Sequence, residues 1–194
     1  MKNLFILLLL LNFSAHAQWV ELFNGRDLTG WKASENPSSF QVKDGELRIE
    51  GPRGHLFYDG PVGDHSFKNF EVKALIKTYP GANSGLYVCT AFQPSDWPSQ
   101  GHEIQVNNSH TDWRRTGSLY GIIDTAEKLV HDEEWFELYI KVEGKHITTK
   151  INGRTVVEYD EPADKNRIQS GTIAIQAHDP KSRIAYKSVQ VKLN

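Results

Sequence analysis

The sequence reads WFELYIKV from Trp135 to Val142, and its apolar and polar side chains alternate with a period of two. In an extended strand the apolar members fall on one face: Phe136, Leu138, Ile140 and Val142. One buried face and one wet face are typical of an antiparallel sheet. The stretch therefore predicts a half-buried β-strand, and a helix would need a different spacing.

The same alternation recurs along most of the chain, in segments too short and too regular for helices. Two hairpin turns are marked by Asp44-Gly45 and Asn152-Gly153, because Asp-Gly and Asn-Gly favour two-residue β-turns. Short strands at regular spacing predict an all-β sandwich or barrel. The predicted strands cover residues 40–43, 46–49, 71–78, 86–92, 102–107, 116–123, 135–142, 146–151, 155–159, 171–178 and 183–193.

The amino terminus has the pattern of an export signal. Lys2 precedes the apolar run Leu4 to Leu11, and Ala15-His16-Ala17 resembles a signal-peptidase site. The run is shorter than the ~20 apolar residues that span a bilayer. We therefore predict a signal peptide at residues 1–17 and a single domain at 18–194. The mature protein is expected in the periplasm or the medium, with no membrane association after cleavage.

Charge and cysteine content exclude some classes of function. The chain has 22 basic and 24 acidic residues; without Lys2 this leaves 21 against 24, a net charge of −3. Nucleic-acid binding needs a basic face, so no nucleic-acid partner is expected. Cys89 is the only cysteine, so the fold contains no intramolecular disulfide and its stability must come from its core.

The most informative strand for function is GHEIQVNN, residues 101–108. Alternation places Ile104 and Val106 towards the core, and Glu103, Gln105 and Asn107 on the opposite face. A carboxylate beside two amides suits the hydroxyl groups of a sugar, and Glu103 would be a general acid or base. The alternative is an ordinary solvated outer face.

Aromatic and cationic residues surround this strand in the sequence. Trp97 precedes it and Trp113 follows it, and indole rings pack against the C–H faces of sugars; alternatively, each ring caps the core. Arg115 could clamp a substrate oxygen and Tyr120 could donate to an oxyanion, although a solvated turn would also explain the arginine.

Two further positions complete the candidate site. Asn83 opens a strand, where it could contact ligand or form a turn. His178 ends a strand beside Asp179 and could act as a base, although a structural histidine is the alternative. No histidine pair has convincing metal-ligand spacing, so no cofactor is predicted. A divalent metal held by distant strands stays open.

Ordered motifs along the chain resemble the 3-keto-disaccharide hydrolase domain family. The resemblance runs from about Trp19 to Leu193 and includes LFNGRDLTGW (22–31), FKNFE (67–71), NSGLY (83–87), GHEIQV (101–106), TGSLY (116–120) and GTIAIQAH (171–178). It departs from the family at His102, where Tyr is common, and at Val88-Cys89.

This resemblance implies a concanavalin A-like jelly roll of two antiparallel sheets, often exported by bacteria. It implies a small carbohydrate substrate already oxidised at C3 by a separate sugar dehydrogenase. The family's polar cleft would correspond to Asn83, Glu103, Gln105, Tyr120 and His178.

The expected function is therefore a hydrolase, or an eliminating lyase with net hydrolysis, acting on 3-keto-glycosides. Glu103 and His178 would be the catalytic pair. A non-catalytic carbohydrate-binding module of the same fold is the main alternative. A two-carboxylate glycosidase would need Asp112 or Asp124 as the partner of Glu103.

Overall fold

A computed structural model describes residues 18–168 and 170–194. The predicted signal peptide lies outside the described residues. Thirteen strands are described: β1 (Val20–Glu21), β2 (Trp31–Ala33), β3 (Phe40–Lys43), β4 (Glu46–Glu50), β5 (Gly54–Tyr58), β6 (Phe70–Thr78), β7 (Ser84–Thr90), β8 (His102–Val106), β9 (Phe136–Glu143), β10 (His146–Ile151), β11 (Arg154–Asp160), β12 (Thr172–Ala177) and β13 (Arg183–Leu193). Two short 3-10 helices lie at Pro37–Ser39 and Val62–His65.

The strands form two antiparallel sheets. The larger sheet has the order β11-β10-β9-β6-β13-β4-β3, and β1 pairs with β13. The smaller sheet has the order β2-β5-β12-β7-β8. The prediction of an all-β, two-sheet antiparallel jelly-roll sandwich is confirmed.

The hydrophobic core draws its side chains from both sheets. The four apolar residues of β9 that opened the sequence analysis are at most 2% exposed, as their alternation predicted. In the smaller sheet, Ile104 and Val106 of β8 are fully buried in the same core. The side chains between them therefore belong to the opposite face, which we call the outer face of the smaller sheet.

Strand pairing places a row of side chains across this outer face. Ala174 of β12 pairs with Phe57 of β5 on one side and Tyr87 of β7 on the other. Tyr87 in turn pairs with Glu103 of β8. Because directly paired residues share a face of the sheet, Phe57, Ala174, Tyr87 and Glu103 form one continuous line.

A β-bulge interrupts β7 near its end. Tyr87 pairs with Ala174, but the next pair is Thr90 with Thr172, so β7 has one residue more than β12 over this interval. Cys89 takes up the extra residue with a φ of 56°, and both Val88 and Cys89 point into the core. The bulge therefore returns Thr90 to the outer face, three residues after Tyr87.

The prediction of a strand at 116–123 is wrong. Residues 116–117 and 120–122 are turns, and Leu119 makes only isolated bridges with Ile104 and Ile123. The segment instead covers the free edge of β8, where Gln105 N–H donates to Ser118 O at 2.9 Å and Gly117 N–H donates to Gln105 O at 2.9 Å. No described helix has the length and apolar character to cross a membrane.

Candidate functional site

A cavity of about 320 Å³ opens on the outer face of the smaller sheet. We call it the first cavity. It lies over β7, β8 and the end of β12, and the loops that carry Trp97, Tyr120 and Arg167 contribute to its wall. Its lining consists of Asn83, Tyr87, Trp97, Pro98, His102, Glu103, Gln105, Tyr120, Arg167, Gln176 and His178.

Glu103 is held at the floor of the first cavity by two donors. The Tyr87 hydroxyl donates to its Oε2 at 2.8 Å, and Gln176 Nε2 donates to its Oε1 at 3.1 Å. Burial raises the pKa of Glu103 to about 7, although both hydrogen bonds oppose that rise. At neutral pH the carboxyl group is therefore poised between its two protonation states.

The space for this carboxyl group is provided by a glycine. A side chain at Gly85, which faces Glu103 from the neighbouring strand, would lie 2.6 Å from Glu103 Cγ and 2.8 Å from Cδ. These approaches are far below ordinary van der Waals contact. The bare backbone at Gly85 thus allows Glu103 to lie flat across β7.

Two buried amide oxygens in the cavity have unused acceptor capacity. Gln105 Nε2 donates to Asn83 Oδ1 at 2.8 Å, which leaves Gln105 Oε1 buried with no hydrogen-bond partner among residues 18–168 and 170–194. Gln176 Oε1 is in the same situation. A buried acceptor without a donor is costly, so the lining suits a ligand that carries hydroxyl groups.

His178 is oriented by an ionised aspartate. Its Nδ1 lies 2.8 Å from Asp179 Oδ2, and Ser182 Oγ donates to the same oxygen at 2.8 Å. Partial burial of Asp179 would raise its pKa, but the hydrogen bonds from His178 and Ser182 outweigh burial and lower it to about 2. Because Asp179 holds Nδ1, it fixes the orientation of the ring and leaves Nε2 for proton transfer.

Aromatic rings close one side of the first cavity. The Trp97 ring is 40% exposed and lies 5.5 Å from the His178 ring and 5.6 Å from the His55 ring. His55 is fully buried, and its burial lowers its pKa to about 4. His55 is therefore neutral and packs against Trp97 as an apolar ring would. Trp97 lines the cavity on the other side.

The structure brings most of the predicted residues together. Asn83, Glu103, Gln105, Tyr120, Trp97 and His178 all line the first cavity. Asn107, Arg115 and Trp113 do not. Their expected place in the cleft is corrected, and we leave them out of the site.

These three residues instead build the 109–116 loop. Asn107 Nδ2 donates to the carbonyls of Asp112 and Arg114 at 3.0 and 2.8 Å, and Arg115 donates to the carbonyl of His110 at 3.2 Å. Trp113 is 52% exposed and stacks on Arg114. The strand alternation predicted that the Asn107 amide would face a ligand, but loop carbonyls accept its hydrogen bonds instead.

Asp112 and Asp124, the candidate second carboxylates of a glycosidase, both bind Arg114 at 3.3 and 3.1 Å. Neither lines the first cavity. The described residues therefore offer Glu103 no second carboxylate in that cavity, which removes the support for a two-carboxylate mechanism.

Sequence reasoning missed five lining residues: Tyr87, Pro98, His102, Arg167 and Gln176. Tyr87 and Gln176 lie inside the quoted motifs, and their alternation with core residues was a usable signal. Arg167 lies in a loop that Glu161 fastens, because the Glu161 carboxylate accepts the N–H groups of Arg167 and Ile168. Glu161 also lies 3.4 Å from His102 Nε2.

No group of three or more His, Cys, Asp or Glu side chains in the described part of the chain is arranged to hold a metal ion. The lining itself has one carboxylate, two histidines and several amides.

The two-sheet fold and the cavity define a class: a concanavalin-like β-sandwich with a polar cavity on one sheet. The chain belongs to the 3-keto-alpha-glucoside-1,2-lyase-like domain family, whose model matches residues 18–192. This confirms the resemblance seen in the sequence motifs.

Individual relatives support the same family and fold. A 3-keto-disaccharide hydrolase of Bacteroides thetaiotaomicron is 25% identical over 73% of this chain, and the chain spans 58% of that relative's length. A solved structure from Parabacteroides distasonis, provisionally named a glycosyl hydrolase, has a TM-score of 0.75 at 22% identity and covers 90% of this chain and 93% of its own. The carbohydrate binding module CBM66 of Bacillus subtilis has a TM-score of 0.61 at 11% identity, covering 84% and 95%.

Proposed function

We propose that this chain cleaves glycosides whose sugar ring carries a ketone at C3, by elimination of the group at C1. The observation that carries the proposal is Glu103, a carboxyl group with a pKa of about 7 inside a cavity lined by amides and a histidine. A group that titrates near neutral pH can both accept and return a proton. The name of the curated relative points to the same substrate class.

The ketone makes the chemistry accessible to a weak base. The C3 carbonyl acidifies the hydrogen at C2, and the Glu103 carboxylate takes that proton while the electron pair moves to the C3 oxygen as an enolate. Collapse of the enolate forms the C1–C2 double bond and breaks the bond from C1 to the leaving oxygen. His178 acts as the general acid and gives a proton to that oxygen.

The enolate oxygen needs donors, and the first cavity offers three groups. Asn83 lines the cavity and accepts with its oxygen from Gln105, which leaves its Nδ2 to donate to the substrate. The Tyr120 hydroxyl and the Arg167 guanidinium complete the set. Donors placed where charge develops stabilise the transition state more than the ground state.

Addition of water across the new double bond completes a net hydrolysis. Water supplies oxygen to C1 and hydrogen to C2, and the product is a free 3-keto sugar. A dehydrogenase that oxidises the sugar at C3 must act before this step, because an unoxidised glycoside has no acidic hydrogen at C2. We propose that the C3 oxidation and the elimination together degrade small glycosides outside the cytoplasm, in keeping with the predicted signal peptide.

The test is to incubate the purified protein with a 3-keto-glucoside in D₂O and, separately, with the unoxidised glucoside. We expect release of the alcohol from the first alone, with deuterium at C2 of the sugar product, observed by NMR. Equal cleavage of both substrates would contradict elimination. Binding of the 3-keto-glucoside without release would favour a carbohydrate-binding module.

The pH profile should respond to the hydroxyl of Tyr87. Tyr87→Phe removes a donor that stabilises the ionised Glu103 and keeps the ring against His55, whose centroid lies 5.4 Å away. The pKa of Glu103 should rise further, so the acid limb of kcat/KM should move to higher pH. The matched control is Tyr139→Phe, whose hydroxyl donates to Glu71 on the larger sheet. An unmoved limb would exclude Glu103 as the titrating base.

A further inference from the structure

We infer that a second cavity on the same outer face binds the leaving group of the substrate as a neutral pyranose or aryl ring. This inference rests on the proposed function and assigns a place to the half of the substrate that departs. The second cavity has a volume of about 290 Å³. It is lined by Phe57, Tyr58, Asp59, His65, Ser66, Thr90, Ala91, Phe92, Gln100, Ser170, Gly171 and Thr172.

The two cavities are joined by one line of packed side chains. Phe57 lines the second cavity, Tyr87 lines the first, and Ala174 lies between them in a shared apolar cluster. Ala174 is the smallest side chain of this row, so it leaves a low floor between two aromatic rings. A substrate with its reacting ring beside Glu103 would extend over Ala174.

Strand geometry gives a matching distance. Gln176 in the first cavity and Thr172 in the second lie four residues apart on β12, or ~13 Å along an extended strand. This separation leaves room for the two rings of a disaccharide to lie side by side along the strand. The loop at residues 91–101 serves both cavities. Trp97 and Pro98 line the first cavity, and Phe92 and Gln100 line the second.

The β7 bulge places an unpaired hydroxyl in the second cavity. The extra residue at Cys89 turns Thr90 to the outer face, where it lines the cavity beside Thr172. Thr90 is 1% exposed, and its Oγ1 has no hydrogen-bond partner in the described ranges 18–168 and 170–194. A buried hydroxyl without a partner destabilises the free protein, so a ligand hydroxyl is the natural partner.

The chemistry of the wall suits a sugar or aryl ring. Phe92 is 41% exposed and meets Phe57 edge to face at 5.3 Å. Lys32 Nζ lies 3.9 Å from the Phe92 ring centre and fixes that ring by a cation–π contact. Exposed Asp59 and His65 form a polar rim. An apolar platform with a few polar groups at its edge is typical of sites for small ring ligands.

The experiment compares two substrates that differ only in the leaving group: a methyl 3-keto-glucoside and a 3-keto-disaccharide. Phe92→Ala should lower kcat/KM for the disaccharide about tenfold and leave the methyl glucoside unchanged, since one ring contact of ~1.4 kcal/mol corresponds to that factor. Trp113→Ala is the matched control, because Trp113 is an exposed ring outside both cavities. Equal effects of Phe92→Ala on both substrates would overturn the inference.

A second variant separates ligand binding from folding. Thr90→Val keeps the side-chain shape and removes only the hydroxyl, so the melting temperature should not fall. We expect kcat/KM to drop about threefold for the 3-keto-disaccharide alone. An unchanged value for that substrate would overturn the role of Thr90. If the wild type cleaves neither substrate, the proposed function itself fails, which is a separate outcome.

Discussion

Glu103→Gln is expected to lower kcat for a 3-keto-glucoside about 10³-fold, within the range that general acid–base groups contribute. The amide cannot accept the C2 proton, while the neighbouring hydrogen bonds can persist. Gln176 can turn its amide so that its unpartnered Oε1 accepts from the new Nε2, and Tyr87 can still donate to the remaining oxygen. The measurement is single-turnover release of the alcohol, followed by NMR.

Stability provides an independent reading of the same variant. The pKa of Glu103 is about 7 in the folded protein against 4.5 when unfolded. Between these values the folded form retains a proton that the unfolded form has lost, so wild-type stability falls as pH rises from about 4.5 to 7. Glu103→Gln lacks this fall. Its free energy of unfolding, relative to that of the wild type, should therefore be higher at pH 8 than at pH 4, as measured by urea unfolding.

Glu158→Gln is the matched control, because Glu158 is exposed on β11 of the other sheet. It should leave both turnover and the pH dependence of stability unchanged. Turnover by Glu103→Gln at the wild-type rate would remove Glu103 from the mechanism.

Gly85→Ala is expected to reduce kcat about 10²-fold with little loss of the fold. The new methyl group would overlap the Glu103 side chain, so the flexible carboxyl end must move away. A displacement of about 1 Å in a catalytic group can cost this factor. Circular dichroism and the melting temperature would establish that the sheet is intact.

The double variant Gly85→Ala, Glu103→Gln tests whether the glycine acts through Glu103. If it does, the double variant should be no slower than Glu103→Gln alone, because the group being displaced is already inactive. Additive losses would mean that Gly85 contributes by another route, such as direct contact with the substrate. The acid limb of the pH profile of Gly85→Ala should also move, since Glu103 would leave its two donors.

The fold was predictable where one face of a strand is wet. β9 alternates cleanly because only one of its faces is buried, and the Asp44-Gly45 and Asn152-Gly153 turns join the expected strand pairs. β5 was missed because its five buried residues show no alternation and because Gly51, Pro52 and Gly54 at its start indicate a turn. The 116–123 segment alternates like a strand, but its turns at 116–117 and 120–122 break it into short bridges.

The site was predictable as far as it depends on strand parity, that is, on which face of a strand the odd-numbered and even-numbered residues occupy. Parity separated Glu103 and Gln105 from Ile104 and Val106, and the structure places each pair as expected. Parity also selected Asn107, whose amide is taken by loop carbonyls that no local pattern reveals. The contacts of Glu103 with Tyr87 and Gln176 depend on the register of three strands that are distant in sequence, so a single sequence could not give them.

The position of β13 in the larger sheet has a consequence for how the chain reaches its native state. β13 pairs with β1, β4 and β6, which all lie far earlier in the chain, so the middle of the sheet stays open until residues 183–193 join it. Such long-range pairing slows folding, because the entropy of closing large loops is lost before the stabilising contacts form. Until then β6 and β4 each expose an unpaired edge, and such edges favour aggregation.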